Sequence, residues 1–280
     1  MRASEWIQIG AAIVFAIAAW GTITTTHPLP TRQRWIVTFL ALFAVVTIVL
    51  AHLSAPLFSP QQFAVLLDGI TVILFLVPYW QTGQFFRGPN PAIQDRLLTF
   101  DRWLLPRTAA KSGTERNSIG FILEMAYTFC YPLLPLGLTA VYAAGLRDKV
   151  NGFWLVVLIA TYLCYAVTPF VPAYPPRSII NDQPVTPAPT KTANKGRIFN
   201  LFILRHGSIH AISFPSAHVA SAFAIALVLL HYTPLIGAIF LIIAILISLG
   251  AVIGRYHYAL DVLLGAITAA IVFAVSYRYL

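Results

Sequence analysis

Charge is what this sequence has least of. Of its 280 residues only 10% are charged and just nine are acidic, where a soluble globular domain carries about 25% charged residues. That shortage excludes a water-solvated surface, and with it the soluble enzyme and soluble binding-module classes. Cysteine is equally scarce. Cys130 and Cys164 both lie inside apolar runs, which excludes a disulfide framework and reads as buried packing. The net charge of +9 would suggest nucleic acid in a soluble domain. In a chain that is 59% hydrophobic it reads as loops lying against anionic membrane lipids, plus a few arginines with a specific task; no nucleic-acid partner is expected.

What fills the chain instead is long apolar runs. About 20 such residues cross a bilayer, and the sequence offers eight stretches: about 5–24, 35–53, 62–82, 119–145, 151–171, 215–233, 235–254 and 258–277. Residues 6–24 have the length of a signal peptide, but the start is not strongly basic, so this run is read as a spanning helix. The expected fold is all-α, a polytopic membrane helix bundle of about eight transmembrane helices. Pro132 and Pro135 predict a kink in the fourth span. Two loops are long. In residues 83–118 the segment AIQDRLLTFDRWLLP alternates apolar and charged residues at helical spacing and reads as an amphipathic helix on the membrane surface. Residues 172–214, with NDQPVTPAPTKTANKG at their centre, read for most of their length as a mobile loop. Asp68 and Glu124 fall inside spans, where a carboxylate is either a functional group or a helix–helix hydrogen-bonding partner.

Three stretches carry chemistry. SFPSAH, residues 213–218, sits where a polar loop becomes an apolar run. Serine is a good N-cap and proline suits a first helical turn, so this stretch predicts a helix start whose Ser216, Ala217 and His218 amides are unpaired. Such a helix end binds anions, phosphate above all. GRYHYALD, residues 254–261, places His257 and Asp261 four apart, on one face of a shared helix. Asp261 could then fix the His257 tautomer and leave the other ring nitrogen free to attack; the alternative is an interfacial helix start with His257 and its tyrosines among headgroups. His218 and His257 are 39 residues apart, about two spans, so both histidines belong to one membrane surface. PAYPPRS, residues 172–178, ends the fifth span on that same side and brings Arg177. An anion-binding helix end, two histidines, an orienting aspartate and an arginine on one face suit phosphoryl transfer.

At these residues the sequence resembles the type 2 phosphatidic acid phosphatase (PAP2) superfamily, whose signature is K-x6-R-P, P-S-G-H and S-R-x5-H-x3-D. PSAH at 215–218 matches the second motif with alanine for glycine, and His257 with Asp261 matches the H-x3-D of the third. The resemblance implies a six-helix catalytic core over residues 55–280, with surface loops 83–118 and 172–214, preceded by two additional helices in residues 1–54. There are departures. Phe170 stands at the family lysine, Ser178 follows Arg177 in place of proline, and Ala251 stands at the arginine of the third motif. This reduced arginine complement looks closer to the branch containing inositol phosphorylceramide synthases and their bacterial relatives.

Carried over residue by residue, the resemblance implies that His257 attacks phosphorus with Asp261 orienting it. His218 would protonate the leaving alcohol and then activate water or a second alcohol. Arg177 and the amides around Ser216 and Ala217 would hold the phosphate oxygens, with Arg255 as a candidate replacement for the missing arginine and Arg205, Lys191 and Lys195 as weaker ones. No cofactor is implied. No metal is expected either, because His206 and His210 precede the helix of His218 and no acidic ligand sits near them. The expected partner is a phosphorylated lipid substrate, in a bacterial cytoplasmic membrane. Hydrolysis and transfer to an alcohol both fit the residues, and so does a non-enzymatic lipid-phosphate carrier that keeps the anion site. Sidedness is in conflict. Fourteen of the 18 Lys and Arg residues lie on the active-site side, which the positive-inside rule makes cytoplasmic, whereas the resemblance implies an outward-facing site.

Overall fold

The computed structural model describes residues 1–21, 28–105, 118–180, 183–184, 193–209 and 211–280. Among the described residues the regular structure is helical, apart from a two-residue antiparallel pairing of β1 (Ile179–Ile180) with β2 (Gln183–Pro184). It divides into two compact units, Met1–Arg87 and Gly88–Leu280.

The first unit holds α1 (Ala3–Trp20), α2 (Thr31–Leu53) and a third span, Pro60–Gly83, made of α3 (Pro60–Leu74) and α4 (Val77–Gly83). Pro78 accounts for the interruption at Phe75–Leu76, because it has no N–H for the Leu74 carbonyl and its ring crowds that turn. Small residues let the backbones approach: Ala12, Ala41 and Ala44 pack with Ile48, Leu74 and Val77. Close packing is what drives association when lipid is as apolar as the helices. Asp68 proves to be a helix–helix partner, its Oδ1 accepting from Arg2 at 2.7 Å.

The second unit contains α5 (Pro91–Leu104), α6 (Ser118–Thr128), α7 (Cys130–Ala143), α8 (Val150–Val167), α9 (Lys195–Gly207), α10 (Ala217–Tyr232), α11 (Pro234–Ile253) and α12 (Ala259–Ser276). At its centre is α10, apolar all round, which packs against α7, α8, α11 and α12. Its alanines, Ala220, Ala222, Ala224 and Ala226, are fully buried. The expected kink is a 59° bend between α6 and α7. It falls just before Pro132, which has no N–H to offer the Thr128 carbonyl. Among the described residues six helices are long and apolar enough to cross a membrane, seven if the bent pair is one span, and α10 is shorter at 16 residues. At one end of the unit Leu280 O accepts from Lys149 Nζ at 3.2 Å; the loops that carry the histidines gather at the other.

Each of the two long loops contains a helix that packs on the protein. On α5, Leu97 and Leu98 turn to the protein, buried against Ala173, Ile179, Ile212 and Tyr258, while Trp103 and Leu104 of the same helix are exposed. The loop of residues 172–214 contains α9, started by Asn194, whose Oδ1 accepts from Arg197 N–H at 2.9 Å.

Candidate active site

The start of α10 is built by serines and by Asp261. Ser216 is the N-cap and its Oγ accepts from Val219 N–H at 3.5 Å. The Ser216 N–H donates to Asp261 O at 2.9 Å, and the Ala217 N–H donates to Ser213 Oγ at 3.3 Å. The expectation that these two amides are open to an anion is therefore corrected. Protein acceptors already satisfy both: α12 approaches so closely that its first-turn carbonyl reaches Ser216, and Ser213, just before the helix, takes the Ala217 amide. Gly265 permits that approach: a Cβ there would lie 2.5 Å from Ser216 O.

His218 emerges from this turn half-buried, with its Nδ1 3.3 Å from His257 Nε2. His257 Nδ1 lies 3.3 Å from Asp261 Oδ2, and that oxygen also accepts from Tyr258 N–H at 3.3 Å. A carboxylate only accepts, so the proton of this pair sits on His257 Nδ1 and the lone pair on Nε2. Burial, and next the Arg177 guanidinium, push the His257 pKa down to about 3. The ring is therefore neutral across the physiological range, as a nucleophile requires.

Every residue around His257 is held. Arg255 has a left-handed φ of 57°. This folds the chain so that the Tyr256 and His257 N–H groups both donate to Ala251 O, at 2.8 and 3.0 Å. The Arg255 guanidinium donates to Pro176 O at 3.1 Å and Ile179 O at 3.4 Å. Its carbonyl accepts from Arg177 N–H at 2.8 Å. Arg255 thus clamps the segment that carries Arg177. Tyr258 OH pairs with Gln94 of α5 and donates to Tyr174 O at 2.9 Å. Gln94 Oε1 in turn accepts from Tyr174 N–H at 2.8 Å. Both tyrosines flanking His257 are 0% exposed, which overturns the placement of these residues among headgroups.

Arg177 reaches the site, where its Nη1 donates to Tyr256 O at 3.2 Å and its charge acts on His257. Arg205 and Lys195 do not join it; both are exposed on α9. Lys191 and His210 lie outside the described residues.

One group escaped the sequence reading. Arg197, on α9, is buried, with its guanidinium carbon 4.8 Å from the Tyr256 ring centroid. It donates to Gly254 O at 2.5 Å and lies 3.5 Å from Glu124 Oε1. Glu124 Oε2 accepts from Tyr256 OH and, at 2.7 Å, from Asn200 Nδ2. Glu124 is thus a helix–helix partner that also touches the turn carrying His257. The available signal was Glu124 itself, since a carboxylate at membrane depth calls for a buried donor.

Chemically the cluster offers a neutral imidazole nitrogen with its tautomer fixed, a second imidazole in hydrogen-bonding reach, and one guanidinium beside them. No curated protein and no solved structure matches the chain significantly. The model of the PAP2 superfamily matches residues 95–275, well over half of the chain and all of the histidine, aspartate and arginine positions just described. The chain belongs to the PAP2 superfamily.

Proposed function

We propose that this protein is an integral-membrane lipid phosphatase or lipid phosphotransferase that works through a phosphohistidine, without a metal. The observation that carries this reading is the relay Asp261 Oδ2, His257 Nδ1, His257 Nε2, His218 Nδ1, with 3.3 Å at each of its two contacts. In the first step His257 Nε2 forms a bond to phosphorus while the bond from phosphorus to the leaving oxygen breaks. His218 gives that oxygen its proton. In the second step His218 takes a proton from water or an alcohol, whose oxygen attacks phosphorus as the N–P bond breaks. Asp261 stabilises the positive charge that His257 gains while bound to phosphorus. Arg177 holds the phosphoryl oxygens, whose charge is the main thing to stabilise in such a transfer.

The single site arginine, with F-P-S-A-H and H-Y-A-L-D in the motifs, supports placement near the inositol phosphorylceramide synthase-like branch, which contains transferases. The test is purified protein in detergent, with metal chelated, given phosphatidic acid, isoprenyl diphosphate and phospho-headgroup lipids. Free phosphate and new phospholipid are followed together, with His257→Ala as control. A loss of at least ~10³-fold is expected in that variant. Turnover that survives it removes the nucleophile and the mechanism; accumulation of the lipid across vesicles without phosphate release makes the protein a carrier.

A further inference from the structure

Two cations flank one buried ring. The guanidinium carbons of Arg197 and Arg177 lie 4.8 and 5.8 Å from the Tyr256 ring centroid, yet they are used differently. Arg177 acts at His257. Arg197 turns its donors away, to the Gly254 carbonyl and Glu124. Burying an ion pair in a membrane bundle costs more than an apolar contact of the same size, so an electrostatic contact this deep needs a reason beyond cohesion.

The reason lies in what Tyr256 connects. Its hydroxyl is fixed by Glu124. Its ring stacks on Tyr127 with centroids 4.0 Å apart and planes 5° from parallel, and Tyr127 in turn lies beside His218, at 6.0 Å between centroids. Its carbonyl accepts from Arg177, and its peptide bond leads directly to His257. Because the Tyr256 and His257 amides share one acceptor, Ala251 O, the backbone that carries the Tyr256 ring cannot shift without moving His257 or releasing Arg177. Arg197 grips the same turn twice, at Gly254 O and over the Tyr256 face, just before and just after the left-handed Arg255.

Resting on the phosphoryl-transfer reading above, we infer that Arg197 is a positioning residue. With Glu124 it fixes Tyr256, and through Tyr256 it sets the attacking nitrogen of His257 against the phosphate-holding guanidinium of Arg177. α9 is then a working part of the site, because it carries both Arg197 and the Asn200 that completes the Glu124 carboxylate.

The test uses the full-length protein in detergent with phosphatidic acid as probe. Arg197→Ala and Tyr256→Phe are each expected to lower kcat about 10- to 100-fold with KM held within about twofold. The double variant is expected to fall no further than about threefold below the worse single, because both changes act through one ring. Glu124→Gln, which keeps an acceptor for the tyrosine hydroxyl, should retain more turnover than Glu124→Ala. Wild-type kcat in Arg197→Ala overturns the inference. So do losses that multiply in the double variant, since they would mean that the Arg197 charge acts on the phosphate directly. If Arg197→Ala does not fold, Tyr256→Phe decides alone, and wild-type kcat there is equally fatal. If the wild type releases no phosphate and transfers none, it is the phosphoryl-transfer reading that fails. Orthovanadate binding, followed by thermal shift, then tests the positioning: affinity weakened in both singles and not further in the double supports it, and equal affinity in all four proteins refutes it.

Discussion

Gly265→Ala tests whether the α10 start and α12 form one rigid mount for the two histidines. The added Cβ would stand 2.5 Å from Ser216 O, where ordinary contact begins at 3.4 Å, so about 0.9 Å must be found. The obstacle is backbone, which cannot rotate aside. The Ser216 carbonyl is also bound by Ala220 N–H at 2.9 Å, and the Ser216 N–H is bound to Asp261 O at 2.9 Å. The strain therefore parts α10 from α12, which moves His218 relative to Asp261 and to the His257 that Asp261 orients. Overpacking of this kind costs ~1–3 kcal/mol of stability, whereas a displacement near 1 Å at reacting groups costs ~10²-fold in rate. The assay is phosphate release from phosphatidic acid beside a thermal melt. The expected result is a folded protein with a modestly lowered melting point and turnover down by about two orders of magnitude. Gly69→Ala is the control, because a Cβ there meets nothing within 4 Å; the helix gains up to ~1 kcal/mol and turnover stays unchanged. Gly265→Ala with wild-type turnover would refute the rigid mount, and with it the claim that Ser216 and Asp261 share one fixed geometry.

Asp101, on α5, accepts from Ala259 N–H at 2.9 Å, and burial raises its pKa from 3.8 to about 6. A raised acid favours folding while protonated and loses that contribution as pH rises, so wild type should match Asp101→Asn near pH 4 and melt below it above pH 6. Asp261→Asn keeps the shape but forces the wrong His257 tautomer, and should lower kcat by ~10²–10⁴-fold with little change in melting point; near-wild-type kcat would remove the orienting role. Arg205→Ala and Lys195→Ala, both exposed, should leave turnover unchanged and stability within ~0.5 kcal/mol; a tenfold loss in either would return these cations to the site.

The histidines and Asp261 were legible because their evidence is local. An H-x3-D needs only helical periodicity, and the 39 residues between His218 and His257 need only the thickness of a bilayer. The bent fourth span was legible for the same reason, since proline states its missing N–H in its own name. The Ser216 and Ala217 amides were misread because capping rules treat a helix end as isolated. Whether an amide is open depends on what packs against it, and here α12 brings the Asp261 carbonyl to Ser216 through a gap that only Gly265 leaves.

α5 and α9 show why amphipathic loops in a membrane protein are hard to place. A stripe such as Leu97 and Leu98 serves lipid or protein equally well by composition, and Tyr258 and Ile212 decide it from more than 100 residues away. Arg197 is the sharper case. Four cations in the loop of residues 172–214 were candidates for the site, Arg177, Lys191, Lys195 and Arg205, and the fifth, Arg197, is buried. Helical phase separates two of them once the helix is known: Arg197, Asn200 and Leu201 are spaced i, i+3 and i+4 and form the inward face, which puts Lys195 outside, while Arg205 is exposed in the last turn of the helix. The same face must meet Glu124, because a carboxylate at membrane depth needs donors and α6 and α9 pack on each other. Taken together, the buried acid and the phase of one helix favour Arg197 over Lys195 without reference to any motif.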